Sequence, residues 1–159
     1  MRVHVAVIIG LTLPTVALAA PEHVRLSWCG QDAGTSVCIT WNDPGNGGNQ
    51  VNYGFAPTLS ETVQATAFSA PAVLGTIYEV ELTGLSPNSK YDYRVGGGGA
   101  AWSETYSFHT GPKAADACVP FTFISLGDNR SQDDTGADPK WTSILNEAVE
   151  GQPAFVLNT

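Results

Sequence analysis

From Pro21 to Thr110 apolar and polar residues alternate in short runs, and turn formers recur every 8 to 14 positions. Val24, Leu26 and Trp28 fall on one side of such a run, with His23, Arg25 and Ser27 on the other. Val37, Ile39 and Trp41 repeat the pattern after the turn-rich GQDAGTS. Val51 and Tyr53 follow the loop-forming DPGNGGN at 43–49, and further strand patterns cover 61–68, 75–82, 90–95 and 102–109. A period of two places alternate side chains on opposite faces of a half-buried strand. Many short strands with no helical period between them predict an all-β sandwich over residues 21–111. The GGGG run at 96–99 reads as a hairpin tip. A phosphate-cradling loop is the alternative there, but no helix start follows it.

The pattern changes after a linker at 112–120. FTFISL, residues 121–126, is a continuous apolar run, as expected of a strand buried on both faces. Asp138-Pro139 supplies a helix cap and a first-turn proline. Trp141, Ile144, Leu145, Ala148 and Val149 then follow at helical spacing, and AFVLNT at 154–159 is a second apolar strand. Strand, helix and strand predict one βαβ unit with parallel strands and a right-handed crossover. A single helix covers only one face of such a pair. Within the chain of residues 1–159, residues 121–159 are therefore expected not to fold stably, whereas residues 21–110 are expected to fold.

Charge removes one class of partner. Seven basic residues oppose fifteen acidic ones, for a formal net charge of −8. The first twenty residues hold Arg2, an apolar centre and the small residues Ala17, Ala19 and Ala20, the pattern of a secretory leader. A membrane anchor is the rival reading, but Pro14 interrupts a run already at the lower edge of the roughly 18–20 residues a bilayer needs. Cleavage would leave six basic residues against fifteen acidic, a net of −9, on a secreted, periplasmic or extracellular protein. Nucleic acid and anionic membranes repel such a surface.

Export also bears on the cysteines. Cys29 ends one strand pattern and Cys38 sits in the next, so a hairpin can bring them together as a disulfide. The alternative is that Cys29, Cys38 and Cys118 are all small buried hydrophobes. With Cys29 and Cys38 bridged, Cys118 is left odd: free, or paired with a cysteine outside these residues.

Two sequence pieces carry a family likeness. LTGLSPNSKYDYRV, residues 82–95, with its tyrosine near a strand start and with the strand residue Trp41 before it, resembles a fibronectin type III domain. The leader, PEHVRLSW, SVCITWN, QVNYG, that run, TYSFHTGP and FTFISLGDNRS together resemble the beginning of a purple acid phosphatase. The resemblance spans residues 21–159 and implies a fibronectin-like domain followed by the start of a calcineurin-like metallophosphoesterase domain. It implies that Asp128 in LGDNRS ligates one ion of a binuclear centre, iron paired with iron, zinc or manganese. Members often carry Gly or His two residues after that aspartate, where this chain has Arg130, so a histidine ligand is missing there. Arg130 instead becomes a candidate contact to the phosphate of a phosphate ester substrate. The resemblance also allows a homo-oligomer.

Read without the resemblance, Gly127-Asp128-Asn129 also fits an ordinary turn, and Asn129-Arg130-Ser131 a glycosylation acceptor. The family's next motif, Gly-Asp with a tyrosine three residues after the aspartate, would begin at about the residue after Thr159. One carboxylate cannot hold two metal ions, so residues 1–159 alone are expected to be catalytically incomplete. His23 and His109 belong to the strand pattern and read as surface residues. The competing function is an exported binding or spacer module without catalysis.

Overall fold

The computed structural model describes residues 19–158 apart from 31, 46, 69–74, 100, 114–119 and 128–138. Residues 1–18 of the leader, Cys118, Asp128 and Arg130 therefore lie outside the described residues. Eight antiparallel strands come first: β1 (Glu22–Ser27), β2 (Val37–Asp43), β3 (Gln50–Phe55), β4 (Glu61–Gln64), β5 (Thr66–Phe68), β6 (Thr76–Leu82), β7 (Lys90–Gly96) and β8 (Tyr106–His109). They form two four-stranded sheets, ordered β1-β2-β6-β5 and β4-β3-β7-β8. This is the all-β sandwich that the alternation predicts, in the fibronectin type III-like form that the resemblance implies.

Alternation explains the core. Val37, Ile39 and Trp41 of β2 point inward with Tyr78, Val80 and Leu82 of β6, and all six are buried. Val51, Tyr91, Tyr93, Val95 and Phe108 answer them from the opposite sheet. Register turns these residues into ring pairs. Trp41 faces Tyr78 across the β2–β6 ladder and Tyr91 faces Phe108 across β7–β8. Both pairs hold ring centroids 5.5 Å apart. Cross-strand aromatic pairs of this kind are the unit of sheet stabilisation.

Polar anchors fix the ends. The Tyr91 hydroxyl accepts the Ser86 backbone N–H at 2.9 Å, forming a tyrosine corner five residues back along the chain. Asp43 is fully buried, and its carboxylate accepts backbone N–H groups from Gly45, Gly47 and Gly48. The Trp41 indole N–H donates to the Gly48 carbonyl at 2.9 Å, so the glycine-rich 43–49 loop is tied down from two sides. At the same end, where Gln50 pairs with Gly96, Gly96 to Gly99 all have positive φ, between 63° and 121°. A Cβ at Gly97 would meet the Trp102 ring at 2.5 Å. The four glycines are a conformational requirement of this tip rather than slack.

Three expectations shift. The single strand expected at 61–68 is two, because the chain leaves one sheet after Gln64 and joins the other at Thr66. Half-buried Ala65 marks the crossing and donates its N–H to Asn49. The strand expected from residue 102 begins only at Tyr106, since Ser103 first folds back to hydrogen-bond Val95. Trp28 lies beyond the end of β1 and is 43% exposed, so its place in the alternation does not put it in the core.

The second part is β9 (Phe123–Leu126), α1 (Pro139–Glu150) and β10 (Phe155–Asn158). β9 and β10 pair in parallel, with Phe155 opposite Phe123 and Asn158 opposite Leu126. The expected parallel pair is present. The helix periodicity is real, yet of its apolar stripe only Ala148 is buried, while Ile144, Leu145 and Val149 are exposed.

Candidate functional site at the end of a parallel strand pair

The register of β9 and β10 decides where chemistry can sit. Leu126 and Asn158 are the last residues of their strands and stand opposite each other, so both strands end at one sheet edge. Open α/β sheets place ligands just beyond that edge. Gly127 follows Leu126 directly and is exposed. The next residue along the chain is Asp128, and Arg130 comes two further on; the structure supplies no side-chain geometry for either.

The described residues assemble no alternative centre. No group of three or more His, Cys, Asp or Glu residues among them is placed to hold a metal ion. His23 on β1 and His109 on β8 are both exposed, as surface histidines should be. The carboxylate of Asp43 is buried and engaged by three backbone donors, which makes it a loop anchor. The donor set of a binuclear centre is thus not met by the described residues.

Two tyrosines are electrostatically perturbed, and both serve packing. Burial, reinforced by neighbouring Tyr106, pushes the Tyr93 hydroxyl up to about 12. Burial also raises Tyr53, with smaller contributions from Glu61 and Tyr91.

Cys29 and Cys38 form a disulfide, with their Cα atoms 5.6 Å apart. The reason is local: Ser27 pairs with Cys38 in the β1–β2 ladder, so the chain just past β1 runs beside Cys38. Asp32 closes the intervening turn, accepting the Gly34 N–H at 2.9 Å and the Thr35 hydroxyl at 3.1 Å.

Two features were not readable as site elements from the sequence. One is Asp43, whose signal was an aspartate followed by glycines at the second, fourth and fifth positions. The other is Trp28, whose ring leaves the sandwich and meets Phe155 of β10 edge-on, with centroids 4.7 Å apart. A cleft of about 870 Å³ opens beside this contact, between Leu26–Trp28 and Ser107–His109 on one side and residues 152–157 on the other.

Comparison with known proteins matches this division of the chain. The sequence profile described as the purple acid phosphatase N-terminal domain covers residues 21–110, the whole sandwich. Purple acid phosphatase 23 of Arabidopsis thaliana is 26% identical over 154 aligned residues, covering 89% of this chain and 32% of the relative. Purple acid phosphatase 13 of the same plant is 40% identical over 84 residues, covering 52% of this chain and 14% of its own length. The purple acid phosphatase structure from yellow lupin (Lupinus luteus) seeds aligns with a TM-score of 0.59 at 20% identity. That alignment covers 75% of this chain and 24% of the lupin chain, and it is a likeness of fold. This chain thus spans under a third of the length of each of these relatives. With its sandwich matched from end to end by that domain, the chain belongs to the purple acid phosphatase family.

Proposed function

We propose that this chain is the N-terminal portion of an exported, metal-dependent phosphoesterase that hydrolyses phosphate monoesters. The observation that carries the reading is the parallel pairing of β9 and β10, both ending at one edge, immediately after a family-matching sandwich. On this reading Asp128, the residue after Gly127 in the chain, supplies one metal ligand. Two metal ions, when bound, would polarise the phosphate and generate the attacking hydroxide. The chain's own part is to hold a carboxylate at the rim and, through Arg130, to offer a bidentate cation to the phosphate oxygens.

The test uses the polypeptide encoded through the sequence that follows Thr159 in its gene. Gly-Asp with a tyrosine three residues past the aspartate is expected there, with hydrolysis of p-nitrophenyl phosphate in the presence of iron and zinc or manganese. Asp128→Asn should lower kcat by at least about 100-fold, because removing a ligand costs more than removing its supporting partner. Arg130→Ala should raise KM; an unchanged KM would remove Arg130 from the substrate site. Residues 21–159 alone should show no turnover above background.

A second reading rests on the extent of the family match, which ends at residue 110. On that reading the sandwich is an exported binding or spacer module. Downstream codons without the Gly-Asp motif, together with no hydrolysis by the encoded product, would favour it.

A further inference from the structure

β1 and β8 are each at one edge of a sandwich sheet, and both border the cleft that β10 enters. The contact across that cleft is aromatic. Trp28 meets Phe155 at 4.7 Å with an interplanar angle of 78°. Phe155 in turn stacks on its register partner Phe123, at 5.3 Å and 7°, and lies 5.8 Å from Phe121. A run of rings therefore passes from the sandwich into the parallel pair.

Trp28 is held on both sides by a single residue. Ser27, before it, pairs with Cys38 in the ladder, and Cys29, after it, is bonded to Cys38. Cys38 itself is only 5% exposed and belongs to the central strand β2. The short arc from 27 to 29 is thus pinned at both ends, and its indole projects outward already ordered. Ordering a side chain in advance lowers the cost of docking on it. Interfaces between domains of one chain are small and polar, so one braced aromatic carries a large share of the contact.

We propose that Trp28, braced by the Cys29–Cys38 disulfide, is the anchor through which the sandwich docks β10 and so positions the sheet edge beyond it. The docking claim stands on the ring contacts alone. Its consequence for Asp128 rests on the phosphoesterase reading above. A docked β10 in a protein without phosphatase activity would leave the anchor standing and sink only that reading.

The experiment compares residues 21–159 with Trp28→Ala, Trp28→Phe, Cys29→Ser/Cys38→Ser and Phe155→Ala variants by NMR and amide exchange. In the parent, the ring protons of Phe155 should be displaced by the indole ring current. Trp28→Ala should abolish that displacement and speed exchange at Val156 and Leu157 by roughly three- to tenfold, the range of an aromatic pair. Ile39 and Val95 should keep their protection. Trp28→Phe should restore most of the effect, and the double serine variant should fall between the two. Phe155→Ala reads the contact from the other side without touching the sandwich, by moving the Trp28 indole N–H resonance. Parent-like Phe155 shifts and β10 exchange in Trp28→Ala, an unmoved indole resonance in Phe155→Ala, or no protection of β10 in the parent would each overturn the proposal.

Discussion

The sandwich and the parallel pair are built from similarly apolar strands, yet they meet opposite fates. In the sandwich Val37, Ile39, Val51 and Val95 are fully buried. In the second part Phe123 keeps 49% of its surface, Phe121 65% and Val149 67%. Sequence hydrophobicity states what a residue would gain by burial; only the surrounding elements determine whether it is buried. Two four-stranded sheets cover one another. Among the described residues, two strands and one helix leave a face and both sheet edges open.

Amide exchange should show this contrast at its largest. Protection at Ile39, Val51 and Val95 is expected to approach the global stability, while Ile124 and Val156 exchange about 1,000-fold faster or more through local opening. Equal protection in the two regions would break the comparison. It would mean that the exposed apolar faces are covered in solution, for instance by a second copy of the chain.

Side-chain truncation sharpens the same point. Trp41 is 1% exposed, pairs with Tyr78 and anchors the 43–49 loop. Trp41→Ala should cost about 3–5 kcal/mol in urea unfolding of the sandwich. Ile144→Ala, at a position 45% exposed on α1, should change the same transition by less than about 0.5 kcal/mol. A large effect at Ile144 would show that the helix packs on the sandwich.

Much of this contrast was legible before the structure. Period-two alternation located β2, β3, β6 and β7, because each has one face toward a core and one toward water. The tyrosine near the start of β7, read as part of a fibronectin-like run, makes the corner to Ser86. The parallel pair was legible from FTFISL and AFVLNT with a capped helix between them. Illegible were the residues whose role depends on a neighbour distant in sequence. Trp28 continued the β1 alternation perfectly, yet its partner is Phe155, far along the chain. The hop at Ala65 left no signal, since both flanking strands share one run of β-formers. Asp128 was read as a metal ligand through its motif alone, and it lies outside the described residues.

Alkaline titration probes the closed half again. The Tyr93 hydroxyl is raised to about 12 by burial, against 10.0 in the unfolded chain. The folded state therefore favours the neutral phenol. That contribution is complete below pH 10 and declines as pH rises toward 12, by up to about 2 kcal/mol in all. Tyr93→Phe should flatten the alkaline limb of the stability curve while leaving the neutral plateau close to that of the parent. A parent-like limb in the variant would assign the titration to another group.

The smallest expected effect isolates one hydrogen bond from its packing. Tyr91 is buried, stacked between Phe55 at 4.7 Å and Phe108 at 5.5 Å, and its hydroxyl holds the Ser86 N–H. Tyr91→Phe keeps the stack and removes only the acceptor, so the sandwich should lose about 1 kcal/mol, as for one neutral hydrogen bond. The amide of Ser86 should exchange faster, and the parallel pair should be unaffected. If β9 and β10 lost protection as well, the corner would be transmitting strain beyond the sandwich, and the division of the molecule into a closed half and an open half would have to be redrawn.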